Sequence, residues 1–269
     1  MTWADYFALN AVNWSSLKNI DDSPLHYKYA LDHPRADTPQ MALGRYVHAA
    51  VLDPASILTD FTIWEEGDRR GNVWKEFAAA NAPKAIFKRS EVDEMAPIIA
   101  ALRPVMRPYL TRTAKTEQVV TWTDEATGIK CKCRPDLMDS AARLVLDIKT
   151  TRSIDVRRFG HDVARFQYHG QLAHYSAGIT AALGWTPEHH ILIAVESAPP
   201  HDVATFPLDT DTLHTGAETV AAYLAQLAEC RAADVWPGRY STPIPLGAAN
   251  LPPWMFGGGV PEFAFEETP

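Results

Sequence analysis

The stretch Arg134-Pro-Asp-Leu-Met-Asp-Ser-Ala-Ala-Arg-Leu-Val-Leu-Asp-Ile-Lys-Thr150 decides the fold of this chain. Apolar and β-branched residues flank both Asp136 and Asp147, and a short turn separates them. The pattern predicts one strand that ends at Asp136 and a second strand that carries Asp147 and Lys149. Because side chains alternate faces along a strand, Asp147 and Lys149 share a face. Two acids and one amine on one sheet surface are suited to holding Mg²⁺ and an attacking water.

The segments around this stretch carry further strand and helix signals. Strand patterns over residues 117–123, 129–136 and 144–150 predict an antiparallel meander. A uniformly apolar strand over 191–195 is typical of a strand covered on both faces. The other predicted elements are helices over 13–30 with a break at Pro24, over 38–52 after a Thr38 cap, from Ser90 to Arg103 or Arg107, over 160–182 and over 212–233, and strands near 61–64 and over 203–208.

These elements together predict a single α/β domain. Its central mixed sheet has about five strands, contains the antiparallel meander and is flanked by helices. We expect the domain to span residues 1–236, with its core at about 38–208. Residues 237–269 contain seven prolines and five glycines, which predicts an irregular Pro/Gly-rich tail.

Charge is distributed unevenly along the chain. The formal net charge is −8, yet residues 188–269 alone carry eleven acids and two bases. The window 130–158, which contains the acidic motif, holds eight bases against four acids. A focused basic site on an acidic body could bind a polyanion locally and release it quickly, because tight non-specific binding scales with the number of phosphates neutralised.

Cysteine usage and hydropathy indicate the compartment. The three cysteines, Cys131, Cys133 and Cys230, lack C-x-x-C spacing, which argues against a disulfide framework, a zinc site or a four-cysteine iron–sulfur cluster. Cys131 and Cys133 are predicted to be buried thiols. No run approaches the roughly 18 apolar residues of a membrane helix. The segment from Met1 lacks a basic region followed by an apolar one, so we expect a cytoplasmic protein without a membrane partner.

Amide and hydroxyl side chains could complete a site around Asp147. Gln171 and Tyr175, together with Gln167, are spaced four apart on the helix predicted after the Asp147 strand, so they share one face. A Gln amide or a Tyr hydroxyl can donate to a phosphate oxygen or position a water. The alternative is that Tyr175 is an ordinary core aromatic and that the glutamines are solvated.

His48 and Glu117 are further candidate metal ligands. His48 lies on the helix predicted over 38–52, and its neutral imidazole could add a ligand to a metal site. Glu117 opens the first strand of the meander and could supply another carboxylate. The alternatives are a core or surface histidine and a solvated acid at a strand end.

Basic residues lead toward the acidic motif. Lys130, Lys132 and Arg134 alternate along the strand predicted to end at Asp136, so they share its face and could line a path for a phosphate backbone. The alternative is a solvated sheet edge. The basic residues that extend the patch beyond Lys149 are Arg152, Arg157 and Arg158.

The ordered set of these motifs resembles the PD-(D/E)xK nuclease superfamily, with Asp147 in the second acidic position. More narrowly, it resembles the exonuclease VIII (RecE-type) branch, relatives of lambda exonuclease. The resemblance spans roughly residues 13–180. The segments that carry it are Trp14-Ser-Ser-Leu17, Ser23-Pro-Leu-His-Tyr-Lys-Tyr29, Ala42-Leu-Gly-Arg-Tyr-Val-His48, Cys133-Arg-Pro-Asp136, Leu146-Asp-Ile-Lys-Thr-Thr151 and Gln171-Leu-Ala-His-Tyr175.

The resemblance implies a fold and an activity. It implies a restriction-endonuclease-like core and the Mg²⁺-dependent degradation of one strand of linear duplex DNA from its 5′ end, with Mn²⁺ as a substitute metal. The 3′ overhang so formed would serve recombination by strand annealing, with a single-strand annealing protein as partner. Because members of the branch tend to form rings that enclose DNA, a homo-oligomeric ring is expected.

The resemblance also implies residue roles. Lys149 would activate the water, with Gln171 and Tyr175 beside it, and Ser15 and Ser16 would contact DNA. The implied metal ligands are His48, Asp136, Asp147 and the Ile148 carbonyl, with Glu117 as a further candidate.

Two other functions remain open at the level of sequence. One is a structure-specific DNA endonuclease of the same superfamily. The other is a non-catalytic DNA-binding protein that assists recombination, although retention of both acids and the lysine argues against it. The iron–sulfur nucleases associated with CRISPR systems share these motifs, but the missing fourth cysteine disfavours them.

Overall fold

The computed structural model describes residues 3–33, 38–65, 67–240 and 242–244 of the chain. The helices are α1 (Trp3–Ala8), α2 (Trp14–Leu17), α3 (Pro24–Asp32), α4 (Pro39–Leu52), α5 (Ile57–Asp60), α6 (Gly71–Asn81), α7 (Arg89–Met106), α8 (Val156–Phe166), α9 (Tyr168–Leu183) and α10 (Thr210–Ala233). The strands are β1 (Phe61–Trp64), β2 (Ala85–Lys88), β3 (Ala114–Thr116), β4 (Val120–Thr123), β5 (Lys130–Cys133), β6 (Leu137–Asp139), β7 (Leu144–Thr151), β8 (His189–Glu196) and β9 (Val203–Pro207).

A five-stranded mixed sheet forms the centre of the molecule. Its strand order is β3-β6-β7-β8-β9. The pairs β3–β6, β6–β7 and β8–β9 are antiparallel, whereas β7 and β8 run parallel, with Asp147 opposite Leu192. This sheet and its flanking helices confirm the predicted α/β fold with about five strands.

Two of the three strands of the meander differ from those that the sequence predicted, whereas the third, predicted over 144–150, is β7. The stretch over 129–136 does not form one strand: β5 ends at Cys133 and β6 begins at Leu137. Strand β5 pairs with β4 in a separate hairpin and also forms an isolated bridge to Val12, and the meander of the main sheet is β3, β6 and β7. Pro135 has no backbone N–H to donate to a ladder, which explains why the strand breaks there. Asp136 therefore precedes a strand instead of ending one.

The helix predicted over 160–182 is two helices. Gln167, between α8 and α9, adopts left-handed φ and ψ values of 55° and 47°, which interrupt a right-handed helix. Gln167 therefore does not share the face of Gln171 and Tyr175, as the four-residue spacing predicted. Its Nε2 instead donates to the hydroxyl of Tyr223 at 3.2 Å.

Other predicted elements agree closely with the structure. Thr38 caps α4 by accepting from the N–H of Met41, and Pro39 occupies the first helical turn. The break before Pro24 also occurs, since Ser23 caps a new helix there. Helix α7 ends at Met106, so the second of the two predicted ends is the observed one, and Pro104 lies inside the helix. Strands β1 and β2 form a parallel pair, of which the sequence pattern predicted only β1.

The main sheet separates two apolar layers. On one face, Leu146 and Ile148 of β7 pack with α4 and α7. On the other face, Val145 of β7 packs with Leu172 and Ile179 of α9. Because strand side chains alternate, Asp147 and Lys149 lie on the α9 face. Burying each of these large aliphatic side chains contributes about 1.5–3 kcal/mol.

Two glycines of α9 let neighbouring elements approach closely. A Cβ at Gly170 would lie 2.4 Å from ring atoms of Trp14, and a Cβ at Gly178 would lie 2.4 Å from the ring of Trp122. The absence of both side chains seats α2 and the β4–β5 hairpin directly on α9. This packing brings the N-terminal segment beside the helix that carries Gln171.

The structure describes only the beginning of the predicted C-terminal tail. Pro237 accepts the N–H of Leu25 through its carbonyl at 3.0 Å, and Arg239 pairs with Asp22 at 2.6 Å. The rest of the expected tail, apart from residues 238–240 and 242–244, lies outside the described residues. Within the described part of the chain, none of the helices combines the length and apolar character needed to cross a bilayer.

Candidate active site

Asp136 is held against strand β7 by its own carboxylate. Oδ2 of Asp136 accepts the backbone N–H of Ile148 at 2.6 Å. Oδ1 of the same carboxylate lies 3.1 Å from Nδ1 of His48, which reaches it from α4. The acid that precedes β6 is therefore fixed directly beside the residue between Asp147 and Lys149.

Asp147 and Lys149 belong to a closed polar network on the α9 face of the sheet. Oδ1 of Asp147 accepts from Nε2 of Gln171 at 3.1 Å and from the hydroxyl of Tyr175 at 3.2 Å. Nζ of Lys149 lies 2.5 Å from Oδ2 of Asp147 and donates to Oε1 of Gln171 at 2.8 Å. Gln171 also donates to the Tyr175 hydroxyl at 2.6 Å. The predicted pairing of Gln171 and Tyr175 beside the acid is thus present.

Glu117 approaches the same centre from the end of β3. Its φ of 52° lies in the left-handed region, which costs a non-glycine residue about 1–2 kcal/mol. Its backbone N–H donates to the carbonyl of Asp136 at 3.1 Å, and Nε of Arg134 lies 2.8 Å from its Oε2. Potential ligand atoms of His48, Glu117 and Asp136 all lie within 4.8 Å of one another.

Burial and mutual repulsion perturb the pKa values of the acids in this cluster. Burial, and then the charge of Asp136, raises the pKa of Glu117 to about 7. The same two causes raise the pKa of Asp147. Burial alone would raise the pKa of Asp136 as well, but His48, the Ile148 N–H and Lys149 hold it below its ordinary value.

The two basic groups in the cluster are stabilised in their charged forms. Burial would lower the pKa of His48, but Asp136, with Glu117 and Asp147, raises it to about 9. Burial would likewise lower the pKa of Lys149, and the carboxylates of Asp147 and Asp136 outweigh that effect and raise it. Lys149 is therefore an ammonium group at neutral pH, suited to donating to a phosphate oxygen.

The donor set fits a hard divalent cation. Oδ2 of Asp147 and Oε2 of Glu117 are buried, and each lies against a cationic side chain: Nζ of Lys149 is 2.5 Å from the first, and Nε of Arg134 is 2.8 Å from the second. Carboxylate oxygens are the ligands that Mg²⁺ and Mn²⁺ prefer, and the imidazole of His48 can join them when a cation displaces its proton. A cation would also relieve the repulsion that raises the pKa values of Asp147 and Glu117. Participation of the Ile148 carbonyl stays a prediction.

The basic row predicted toward Asp136 does not form one surface. Lys132 is only 4% exposed, and its Nζ donates to the carbonyls of Tyr6 and Leu9 at 2.7 and 2.8 Å. Arg134 is engaged with Glu117 in the interior. Only Lys130 of the three is exposed. The strand break at Pro135 and the packing of β5 against the N-terminal segment explain this difference from the predicted alternation.

The other predicted DNA contacts are at the surface. Ser15 is exposed, whereas Ser16 is half-buried and its hydroxyl donates to Oδ1 of Asn13 at 2.7 Å. The basic residues that follow β7 and begin α8 are all exposed; they are Arg152, Arg157 and Arg158. These three arginines are therefore available to a polyanion.

The predicted burial of Cys131 and Cys133 also holds, and both thiols are free.

Sequence reasoning missed two side chains close to Lys149. The ring centroid of Tyr168 lies 4.4 Å from Nζ of Lys149, in cation–π geometry. Lys18 follows α2 and is half-buried; burial, and then repulsion from Lys149, lowers its pKa. The spacing of Tyr168, three residues before Gln171, could have identified it. The prediction of one continuous helix over 160–182 directed attention elsewhere. Lys18 directly follows the Trp14–Leu17 motif.

The fold and the acid–acid–lysine centre define a protein of the PD-(D/E)xK class. The family model for the PDDEXK-like domain of unknown function DUF3799 matches residues 13–242, so the chain belongs to that family, and with it to the PD-(D/E)xK nuclease superfamily. No curated protein matches the chain in sequence.

A solved structure supports the same fold. A protein from Eubacterium rectale named "Putative exonuclease" matches with a TM-score of 0.61 over 97% of this chain and 99% of its own, at 13% identity. A phage related exonuclease from Haemophilus somnus 129PT matches with a TM-score of 0.38, at 14% identity, over 86% of this chain and 100% of its own. At this level of identity the first likeness describes the fold alone.

Proposed function

We propose that the protein is a Mg²⁺-dependent exodeoxyribonuclease. It would degrade one strand of linear duplex DNA from the 5′ end and leave a 3′ single-stranded overhang for recombination by strand annealing. The observation that carries the proposal is the convergence of Asp136, Asp147 and Lys149, in which one carboxylate bonds to the N–H of Ile148 and the other pairs with the lysine ammonium. A binding protein without hydrolytic function would not require this buried arrangement of charges.

The residues of the cluster divide the work of phosphodiester hydrolysis. The carboxylates of Asp136, Asp147 and Glu117, with the imidazole of His48, would hold the cation. When bound, a divalent cation would stabilise the charge that develops on the phosphate and lower the pKa of a water at the site. The Lys149 ammonium would orient that water and donate to a phosphate oxygen.

Gln171 and Tyr175 would hold the Asp147 carboxylate and the Lys149 ammonium in position. Both donate to Oδ1 of Asp147, which leaves Oδ2 of that carboxylate directed at Lys149. The Gln171 carbonyl oxygen accepts from the Lys149 ammonium and so restrains it from a second side. This bracing keeps acid and amine in position with little reorganisation during the reaction.

Three considerations support the exonuclease form of the proposal. The resemblance to the exonuclease VIII branch covers the segments that build this site. The neighbour from Eubacterium rectale bears an exonuclease name and aligns over nearly its whole length. The exposed Arg152, Arg157 and Arg158 lie on the segment that follows the Lys149 strand, where a phosphate backbone could lie. We extend the proposal to a homo-oligomeric ring, an annealing-protein partner and a cytoplasmic location.

The test is digestion of matched linear and closed circular duplexes. Linear DNA is labelled at either the 5′ or the 3′ end and incubated with Mg²⁺, with Mn²⁺ or with chelator. We expect metal-dependent release of short 5′-labelled products from linear DNA and none from the circle. Asp147→Ala and Lys149→Ala should abolish release, whereas Lys75→Ala, at an exposed position of α6, should not change it.

Two results would lead to the alternatives, and a third would refute the assignment of the site. Cleavage of the closed circle at a rate similar to that of linear DNA would indicate an endonuclease. Undiminished digestion by Asp147→Ala or Lys149→Ala would refute the assignment of the site. Binding of duplex ends with no hydrolysis under any metal condition would indicate a non-catalytic DNA-binding protein.

A further inference from the structure

A row of two stacked aromatic rings, with a cation at each end, runs from Lys149 to the protein surface. Nζ of Lys149 lies 4.4 Å from the ring centroid of Tyr168. The rings of Tyr168 and Phe166 are stacked, with centroids 5.7 Å apart and planes inclined by 27°. The guanidinium of Arg165 lies 5.3 Å from the Phe166 centroid. We call these three residues beyond Lys149 the aromatic ladder: Tyr168, Phe166 and Arg165.

Exposure rises along this row. The Lys149 side chain is 15% exposed, Tyr168 is half-buried, Phe166 is 38% exposed and Arg165 lies at the surface. The ladder therefore leads outward from the atoms that would meet the scissile phosphate. A large exposed aromatic side chain at such a position is not required by the core, since Phe166 belongs to none of the buried clusters among the described residues.

The ladder depends on the unusual backbone of Gln167. Residues two apart on a continuous α-helix point in nearly opposite directions, because each residue turns the helix by about 100°. Phe166 and Tyr168 stack only because Gln167 between them adopts the left-handed conformation. That conformation costs a non-glycine residue about 1–2 kcal/mol in isolation, and it is retained next to the reacting groups, where such strain commonly has a role.

Aromatic rings flanked by cations are suited to unpaired nucleotides. Every nucleobase has a π-face that can stack on a ring, and the cations can bind the flanking phosphates. We propose that the aromatic ladder is the stacking site for an unpaired nucleobase of the nucleotide next to the phosphate at Lys149. This inference rests on the proposed function and deepens it, because it assigns the subsite that receives the strand beside the cleaved bond.

Arg165 has a distinct part in this arrangement. Its exposed guanidinium covers one side of the Phe166 ring in the structure without DNA. A guanidinium at the surface can turn to a phosphate oxygen and free the ring for a base. Tyr168 contributes through its ring, which contacts both Lys149 and Phe166, so phenylalanine should replace it without loss.

The proposal is tested with DNA that carries 2-aminopurine at successive positions from the 5′ end. Ca²⁺ replaces Mg²⁺ so that binding is observed without digestion. We expect a change in 2-aminopurine fluorescence at one or two adjacent positions with the wild-type protein and with Tyr168→Phe. Phe166→Leu and Tyr168→Leu should lose that change and bind single-stranded oligonucleotides about 5- to 150-fold more weakly.

Tyr29→Leu is the matched control, because Tyr29 is an exposed ring on α3 that stacks on His33 instead of on the ladder. It should leave signal and affinity unchanged. A position-specific signal that persists in Phe166→Leu and Tyr168→Leu would overturn the stacking site. So would a wild-type protein that digests linear duplex but gives no position-specific signal. A wild-type protein that neither binds nor digests DNA would overturn the proposed function and the stacking site together.

Discussion

Oδ2 of Asp136 accepts the backbone N–H of Ile148 at 2.6 Å. This single bond joins the two halves of the motif, because Ile148 stands between Asp147 and Lys149. The carboxylate is therefore positioned by a backbone group of β7 as well as by the side chain of His48. A charge-assisted bond of this kind contributes about 1.5–3 kcal/mol.

Mg²⁺ or Mn²⁺ is expected to stabilise the folded protein. A ligand that binds only the native state at about 100 times its dissociation constant adds about 2.7 kcal/mol to the free energy of unfolding. His48→Ala and Glu117→Gln should reduce the metal-induced rise in melting temperature, and Asp136→Ala should remove it. Thermal melts with and without metal measure this independently of nuclease activity. An equal rise in Asp136→Ala would contradict the ligand assignment.

The salt dependence of DNA binding should separate surface arginines from the buried lysine. Each lost phosphate contact lowers the slope of log affinity against log salt by about 0.9 on duplex DNA. Arg157→Gln and Arg158→Gln should each lower the slope by roughly that amount, whereas Lys132→Met should leave it unchanged. Anisotropy of labelled duplex across a range of NaCl concentrations gives the slopes.

Lys132→Met has its own expected effect on stability. The substitution leaves the carbonyls of Tyr6 and Leu9 without their buried ammonium donor, which should cost about 1–3 kcal/mol of unfolding free energy. Unfolding in urea measures the loss. A Lys132→Met variant with wild-type stability and a lower salt slope would instead indicate that Lys132 contacts DNA, as the sequence pattern predicted.

Gly170→Ala and Gly160→Ala should change stability in opposite directions. A Cβ at Gly170 would lie 2.4 Å from the ring of Trp14, so α2 must shift, at a cost of about 1–3 kcal/mol. Gly160 lies inside α8 with nothing within 4 Å of its Cβ position, so alanine there should add about 0.4–1 kcal/mol. Urea unfolding of both variants checks the pair, and a stabilising Gly170→Ala would contradict the close approach.

His174 should make the fold less stable as the pH drops from about 7 to about 5. His174 is fully buried, and burial lowers its pKa to about 4. The unfolded chain therefore binds a proton below about pH 6.5 that the folded chain refuses until about pH 4, which destabilises the fold by about 2 kcal/mol at pH 5. His174→Gln keeps a donor for the Lys132 carbonyl but cannot titrate. Its unfolding free energy should lose this part of the pH slope; identical slopes would exclude His174 as a source.

Much of the fold could be predicted because local and global signals agree. Thr38 and Pro39 mark the start of α4, and the apolar run around Ile193 marks a strand covered on both faces. Residues 147 to 149 were predicted on one strand, with the acid and the amine sharing a face, and β7 has that arrangement. These features depend on short-range periodicity, which a single sequence records directly.

What could not be predicted depends on contacts between distant segments. The burial of Lys132 follows from the docking of residues 6–9 on β5, which no local pattern reveals. No glycine marks the left-handed turn at Gln167, so the sequence pattern predicted one helix where the structure has two. Pro135 itself indicated a strand break, but the alternation of apolar residues on either side of it favoured a continuous strand.

Strand β7 contributes side chains to both the apolar interior and the reacting centre. Leu146 and Ile148 anchor it in the apolar interior, while the residues between and after them, Asp147 and Lys149, face the reacting centre. Any repacking of that interior would therefore displace the acid and the amine together. His48 and Glu117 come from α4 and from the segment after β3, so substitutions there would change the candidate ligands without altering the apolar contacts of β7 itself.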